Sequence, residues 1–279
     1  GGDRLGQGEA GSQWAFARLA MGNSIANPGT VIVRRSFLAE TSPFDPAIRW
    51  GEDWDLWLRL SLRGPFGFVP EALACYRMRQ TGRRLRIEAS DEFVRQNEMI
   101  LRKTFAKLPE KRSNWGRLEP KAFAELYLRS AMHNFELGDV GRGATYIGRA
   151  AQTDPDFVMD RDTFARRVAA VGLRIAFERD DMEEGIAFVT RVFSHLPPAA
   201  AELRSETAYA VSEFHMAVAF AQFERGDRAA TRRHVARAIQ LYPPSVRNLG
   251  LLSIGVQALL GGKPWGSLRR SDEPTECAE

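Results

Sequence analysis

The chain has 279 residues, of which 44% are hydrophobic, 10% are aromatic and 27% are charged, and its formal net charge at pH 7 is +4. This composition is typical of a folded protein, so it excludes a disordered or collagen-like chain. The sequence contains no run of about 20 apolar residues, the length that a helix needs to cross a bilayer. A net charge this close to zero also argues against nucleic-acid binding, which usually requires a concentrated basic face.

The start of the chain and its two cysteines indicate the compartment. Residue 1 is Gly rather than Met, and no basic segment with an apolar core follows it, so we predict neither a signal peptide nor a native start. Cys75 lies in an apolar run and Cys277 in the polar tail, which excludes a disulfide framework and a thiolate metal site. We expect a cytoplasmic protein, free or peripheral at the inner face of the membrane.

The first part of the chain is predicted to be α/β. Residues 30–33 are Thr-Val-Ile-Val, a short apolar run typical of a buried strand, and residues 72–78 form a second such run. Between them, residues 52–63 have apolar side chains at helical spacing. Residues 80–84, Gln-Thr-Gly-Arg-Arg, are predicted to be an exposed loop.

The part of the chain after about Asp91 is predicted to be entirely helical, and it repeats itself. Phe-Glu-Leu-Gly-Asp at 135–139 returns at 223–227 as Phe-Glu-Arg-Gly-Asp, with a weaker copy at 177–181. Each unit is predicted to contain a helix, a two-residue turn, a second helix and a proline stop. The units resemble tetratricopeptide-type hairpins, whose neighbours must stack to bury their apolar faces, although the spacing here is longer than that family's 34 residues.

We place the domain boundary near residue 115, in a polar segment that contains a proline and a glycine. Residues 1–115 then form the α/β domain, residues 116–265 form the helical repeats, and residues 266–279 form a polar tail. Two roles remain open for the repeats. They are either a small solenoid that packs on the first domain or a groove that binds a protein partner.

A series of short motifs between residues 20 and 85 gives the sharpest indication of function. The motifs are Asn23-Ser24-Ile25, Thr-Val-Ile-Val-Arg-Arg at 30–35, Pro43-Phe44-Asp45, Gly-Glu-Asp-Trp-Asp-Leu-Trp-Leu-Arg-Leu at 51–60, Gly67-Phe68-Val69-Pro70 and Tyr76-Arg77. In this order they resemble the C-terminal, acceptor-side half of the catalytic domain of a family 2 glycosyltransferase of the GT-A fold. The resemblance implies inverting transfer of a sugar from a nucleotide-diphosphate donor to a hydroxyl of a glycan, lipid-linked or protein acceptor.

Glu52 and Asp53 are the candidate catalytic residues. Both fall in the first turn of the predicted helix, where the positive end of the helix macrodipole and unpaired N–H groups stabilise negative charge. Sugar transfer needs a carboxylate near the acceptor hydroxyl, because proton removal accompanies attack at the anomeric carbon. The resemblance assigns that role to Asp53 and leaves Glu52 to shape the same pocket. The alternative is that both carboxylates only cap the helix.

Four further residues are candidates for substrate binding. Trp50 is placed to stack on an acceptor ring, and Asn23 matches a family position that lines the cleft. Arg77 and Arg79 lie where family members have Tyr-Arg-x-His near the donor diphosphate. Because a guanidinium cannot ligate a metal, Arg79 is expected to contact the pyrophosphate instead. The alternative is that these arginines are solvated.

The resemblance also implies a divalent cation, Mg²⁺ or Mn²⁺, bound by an Asp-x-Asp motif in an N-terminal half that residues 1–22 are too short to contain. Asp-x-Asp strings at 154–156 and 160–162 lie in the helical half, and we interpret them as chance matches. We therefore predict that this chain lacks both the metal ligands and a complete nucleotide-sugar site. The alternative function is a helical-repeat interaction module that contains an inactive transferase remnant.

Overall fold

The computed structural model describes residues 9–25, 27–42, 44–69, 71, 74 and 82–260. The α-helices in these ranges are α1 (Glu9–Ala20), α2 (Arg35–Ala39), α3 (Glu52–Ser61), α4 (Arg83–Glu88), α5 (Asp91–Ala106), α6 (Glu119–Glu136), α7 (Val140–Thr153), α8 (Pro155–Met159), α9 (Arg161–Arg179), α10 (Met182–Ser194), α11 (Thr207–Glu224), α12 (Arg228–Leu241) and α13 (Leu249–Leu260). Short 3₁₀ helices span Pro28–Thr30, Glu110–Leu118, Pro198–Glu206 and Pro243–Arg247. None of these helices is both long enough and apolar enough to span a membrane.

The predicted α/β character of the N-terminal part is wrong, because no residue that the structure describes forms a strand. Of the first predicted strand, Thr30 ends a 3₁₀ helix and Val31 is extended, with φ −114° and ψ 131°, but Ile32 is fully exposed. A strand needs backbone hydrogen bonds to a neighbouring strand, and an apolar run without such a neighbour stays irregular. The GT-A sheet is therefore absent from the described residues. The second predicted strand, at 72–78, lies outside them except for Ala74.

The predicted helix at 52–63 is confirmed as α3, whereas the loop predicted at 80–84 is wrong for its last two residues. Arg83 and Arg84 form the first turn of α4, and residues 80 and 81 lie outside the described ranges. The helix is supported by an ion pair between Arg84 and Glu88, 2.7 Å apart at the i, i+4 spacing.

The chain divides into two compact units, and the predicted domain limits at residues 115 and 265 stay predictions. The first unit contains residues 1–137 and 149–155, and the second contains residues 138–148 and 156–279. In the core of the first unit, Phe16 of α1 stacks on Trp115 with 4.9 Å between the ring centroids and meets Phe105 edge-on at 5.8 Å. Offset and edge-on contacts of this kind add to the burial of the rings.

Helix α3 is anchored at both ends within the first unit. Near its start, Trp54 Nε1 donates a hydrogen bond to the carbonyl oxygen of Leu19 in α1 at 2.7 Å. At its end, Arg112 donates to the carbonyl of Ser61 at 3.2 Å and to that of Leu62. These bonds satisfy terminal carbonyls that have no partner inside the helix. The first turn of α3, which includes the predicted catalytic residues, is therefore held in a fixed place.

The predicted turns of the helical half are confirmed at all three positions. Gly138 between α6 and α7 has φ 84°, Gly226 between α11 and α12 has φ 81°, and Asp180 between α9 and α10 has φ 53°. This left-handed conformation ends the first helix of each helical repeat, and it is most easily adopted by glycine. Asp181 and Asp227 then cap the next helix, each accepting a hydrogen bond from the main-chain N–H three residues on.

The long spacing between the repeats comes from short helices in their connections. Helix α8 lies between α7 and α9, a 3₁₀ helix at Pro198–Glu206 joins α10 to α11, and another at Pro243–Arg247 joins α12 to α13. Each of these short helices begins at a proline that the sequence predicts as a helix stop. Proline lacks an N–H group, so it is accommodated in a first helical turn but not inside a longer helix.

In the second unit, α9 pairs with α10 and α11 pairs with α12, and α11 also packs on α9 and α13. The largest fully buried side chains here are Ile147, Phe164, Ile175, Phe188, Phe193 and Phe214. Helices α9 and α10 approach closely at two glycines. A Cβ atom added at Gly172 would lie 2.8 Å from the carbonyl oxygen of Gly185. The predicted stacking of helical hairpins is therefore present within this unit.

A histidine pair joins α11 to α12. The Nδ1 atoms of His215 and His234 lie 2.9 Å apart, a hydrogen bond that requires one ring to accept and hence to be unprotonated at that nitrogen. Burial, with smaller contributions from His234 and Arg237, lowers the pKa of His215 to about 4. Burial also lowers the pKa of His234. The pair is therefore neutral at pH 7.

We expect the free energy of unfolding to fall as the pH is lowered from about 6.5 to about 4, because only the unfolded chain binds protons at His215 in this range. His215→Gln should reduce the change in the free energy of unfolding over this range by about 1–2 kcal/mol, a value discounted because water screens the partly exposed His234 beside it. Urea unfolding of the wild type and the variant at pH 6.5 and at pH 4 measures this difference. His195→Gln, at an exposed histidine, is the control. An unchanged slope in His215→Gln would contradict the assignment.

Candidate functional site

A cleft of about 600 Å³ lies at the N-terminal end of α3, within the first unit. Its walls come from α1, α3, α4, α5, α6 and the segment at 21–25. The charged residues that line it are Arg18, Asp53, Arg84, Glu88, Glu125 and Arg129, and its polar amides are Asn23 and Asn97. The cleft has the size of a small-molecule site and contains charges of both signs.

Asp53 is held in this cleft by two hydrogen bonds. Its Oδ1 atom accepts from the main-chain N–H of Trp54 at 2.7 Å, and its Oδ2 atom accepts from Asn23 Nδ2 at 3.2 Å. The Asn23 amide is itself oriented, because its Oδ1 atom accepts from the main-chain N–H of Ile25 at 3.1 Å. The structure thus brings together Asp53 and Asn23, two residues that the sequence singles out separately.

Two of the other predicted site residues, Glu52 and Trp50, do not line the cleft. Glu52 is exposed at the first position of α3, and Trp50 is half-buried just before it. Arg77 and Arg79 lie outside the described residues. The roles given to these four residues stay predictions.

Asp55, the third carboxylate of the first turn, belongs to an ion-pair network instead. Its side chain is fully buried, 2.8 Å from Arg59 Nε and 3.1 Å from Lys103 Nζ. Lys103 also donates to Asp45 at 2.7 Å, a hydrogen bond that lowers the pKa of Asp45. Side chains two positions apart on a helix point about 200° apart, so Asp53 faces the cleft while Asp55 faces the core.

Two cationic residues of the cleft, Arg18 and Arg129, are not predicted by the sequence motifs. Arg129 of α6 donates to the carbonyl of Met21 at 2.6 Å. Gly22 leaves room for its guanidinium, since a Cβ atom there would lie 2.1 Å from Arg129. No local pattern identifies Arg129, because its place in the cleft is set by the packing of α6 in the first unit.

Charge on the α4 wall of the cleft is paired. Glu88 accepts a hydrogen bond from Arg84 Nε at 2.7 Å, and its other carboxylate oxygen lies 3.5 Å from His133 Nε2. Burial lowers the pKa of His133, against the opposing effect of Glu88. This wall therefore offers hydrogen-bonding groups to a polar substrate without a large excess of either charge.

The described part of the chain does not fit a divalent cation. No group of three or more His, Cys, Asp or Glu side chains there could hold a metal ion. In the Asp-x-Asp strings of the helical half, Asp160 caps α9 and Asp162 lies 3.1 Å from Arg161. Hard cations need several oxygen ligands, and the described side chains do not bring such a set together. The cation implied by the resemblance stays a prediction.

Comparison with known proteins adds no further clue to function. No family model matches this chain, and no curated protein or solved structure matches it either. The chemistry of the cleft and the order of the sequence motifs are therefore the features that indicate function.

Proposed function

We propose that this chain forms the acceptor side of an inverting glycosyltransferase and that Asp53 is the general base. The observation that carries the proposal is the Asp53 carboxylate, oriented by Asn23 and by the main-chain N–H of Trp54 at the wall of the cleft. A positioned carboxylate is what proton removal from a sugar hydroxyl requires. The order of the surrounding motifs, which resembles family 2, gives the reaction class.

In the proposed reaction, the acceptor hydroxyl gives its proton to the Asp53 carboxylate while its oxygen forms a bond to the anomeric carbon of the donor sugar. The bond between that carbon and the diphosphate breaks, and the nucleoside diphosphate leaves with the bonding electrons. Attack from the side opposite to the leaving group inverts the anomeric configuration. A base positioned in this way typically contributes about 10²–10⁴-fold to the rate.

The arginines of the cleft are proposed to bind anionic groups of the substrates. Arg18, Arg84 and Arg129 line the same cleft as Asp53. Guanidinium groups bind phosphate and carboxylate oxygens in a bidentate geometry, which suits either a charged acceptor or the leaving diphosphate. We assign contact with the donor diphosphate to Arg77 and Arg79, as the motif order implies.

The test is a transfer assay on the complete product of the gene, alongside residues 1–279. Each protein is incubated with uridine-, guanosine- and thymidine-diphosphate sugars and with glycan and lipid-linked acceptors, and nucleoside diphosphate release is measured. Acceptor-dependent release by the complete product supports the proposal. Residues 1–279 are expected to bind the donors only weakly. Absence of acceptor-dependent release from both proteins would overturn the proposal.

A second candidate is an interaction module in which the Asp53 helix is an inactive remnant. The observation that favours it is the pair of hairpins, α9 with α10 and α11 with α12, that pack together in the second unit. Stacked hairpins of this kind present extended surfaces to partner proteins. Under this candidate, the wild-type protein and the Asp53→Asn variant give the same background release in the assay.

A further inference from the structure

Helix α5 contributes an aromatic ring and a buried amide to the cleft that contains Asp53. Phe93 and Asn97 both line this cleft. Phe93 is half-buried, whereas Asn97 is only 4% exposed. The two residues are four positions apart, so their side chains lie next to each other on one face of α5, about 5–6 Å apart at Cβ. The cleft therefore offers a flat apolar surface and a polar group side by side.

Phe93 provides the aromatic surface that a ligand in the cleft can reach. Trp54, the other aromatic residue among the described residues that line the cleft, is 3% exposed and donates its Nε1–H to Leu19. Trp50, for which the sequence predicts stacking on an acceptor ring, does not line the cleft. The face of an aromatic ring carries partial negative charge, so it attracts C–H groups that bear partial positive charge. A sugar ring presents such C–H groups on its faces, and Phe93 therefore fits a sugar ring.

Asn97 provides a carbonyl oxygen for a hydroxyl group of the ligand. Its Nδ2 atom donates to the main-chain carbonyl of Phe93 at 2.6 Å, which fixes the orientation of the amide. Its Oδ1 atom accepts no hydrogen bond from any residue that the structure describes. An amide oxygen in a side chain so deeply buried normally has a donor, because leaving it without one costs free energy. A ligand hydroxyl in the cleft supplies that donor.

Gly51 places this oxygen beside the first turn of α3. Gly51 is the N-cap residue of α3, with φ 85°, and it also lines the cleft. A Cβ atom added at Gly51 would lie 3.5 Å from Asn97 Oδ1. Asp53 follows two residues later in the same turn. The polar end of the α5 surface is therefore close to the carboxylate that we propose as the general base.

We propose that Phe93 and Asn97 form the acceptor subsite and that the acceptor is a carbohydrate. Its sugar ring stacks on Phe93 and one of its hydroxyls donates a hydrogen bond to Asn97 Oδ1, while a second hydroxyl reaches Asp53. This inference rests on the proposed function and narrows its acceptors from glycan, lipid-linked and protein hydroxyls to the hydroxyls of a sugar ring. A single sugar ring has few atoms to contact the protein, so we expect a dissociation constant of about 1 mM.

Saturation-transfer NMR titration of residues 1–279 with methyl glycosides of hexoses, deoxyhexoses and N-acetylhexosamines tests the inference without a donor, and at least one glycoside should bind. Phe93→Leu keeps the apolar bulk but removes the flat ring, and it should weaken binding about three- to tenfold, whereas Phe93→Tyr should keep the wild-type affinity. Asn97→Ala should also weaken binding about three- to tenfold. Phe220→Leu removes a partly exposed ring in the second unit and is the matched control. Circular dichroism at 222 nm verifies that each variant keeps its helix content.

Failure of every glycoside to bind overturns the carbohydrate subsite, whether or not uridine or guanosine binds in their place. That result leaves the proposed function intact if the complete gene product transfers sugar to a lipid or protein hydroxyl. Glycoside binding that neither Phe93→Leu nor Asn97→Ala weakens overturns the subsite as well, because the sugar then lies elsewhere. Binding that depends on Phe93, without acceptor-dependent release by the complete product, supports the subsite and overturns the proposed transfer.

Discussion

Asp53→Asn is expected to lower acceptor-dependent sugar transfer by the complete gene product by about a hundred- to ten-thousandfold. The amide keeps the shape of the side chain and can still accept the hydrogen bond from the Trp54 N–H group, but it cannot take the proton of the acceptor hydroxyl. Donor binding should be unchanged, because Asp53 contacts no donor atom in the proposed reaction. Initial rates of nucleoside diphosphate release give kcat, and calorimetric titration gives donor affinity.

Two control variants distinguish loss of the base from loss of a helix-cap charge. Glu52→Gln removes an exposed carboxylate of the same turn, outside the cleft, and should cost less than about tenfold. Glu183→Gln removes an exposed first-turn carboxylate of α10 and should match the wild type. Full activity in Asp53→Asn would rule out its role as base. A loss in Glu52→Gln equal to that in Asp53→Asn would reverse the roles assigned to the two residues.

Gly172→Ala is expected to destabilise the second unit by about 1–3 kcal/mol, although alanine is the better helix former. Its Cβ atom would lie 2.8 Å from the carbonyl oxygen of Gly185 and 2.9 Å from a methyl group of Val189. The first of these neighbours is backbone of the facing helix, so α9 and α10 must move apart. Gly185→Ala should behave in the same way, with a contact of 2.7 Å to the carbonyl oxygen of Gly172.

Gly148→Ala in α7 is the matched control for this overpacking. A Cβ atom at Gly148 has its nearest neighbours at 3.8 Å, an ordinary contact with Pro197. The substitution should therefore stabilise the protein by up to about 1 kcal/mol through helix propensity alone. Urea unfolding followed by circular dichroism measures both variants. Stabilisation by Gly172→Ala would contradict the close approach of α9 and α10.

The candidate site was predictable only in part. The position of Asp53 in a first helical turn follows from local sequence, and so does the neighbouring Asn23 motif. The bond between their side chains, and the inward direction of Asp55, depend on how α1, α3 and α5 pack. Arg129 reaches the cleft from α6, far along the chain. Contacts between residues far apart in the chain leave no periodic pattern in the sequence, so they cannot be inferred from it.

The sequence by itself determined the features whose physics is local. The turns at Gly138, Asp180 and Gly226 depend on residues that tolerate positive φ, and the helices between them depend on apolar spacing. The tertiary structure alone decided the conformation of residues 30–33. Their apolar run favours a strand, but they form none. A helix satisfies its own backbone hydrogen bonds, whereas a strand needs a partner from another part of the chain. Local patterns therefore predict helices more securely than sheets.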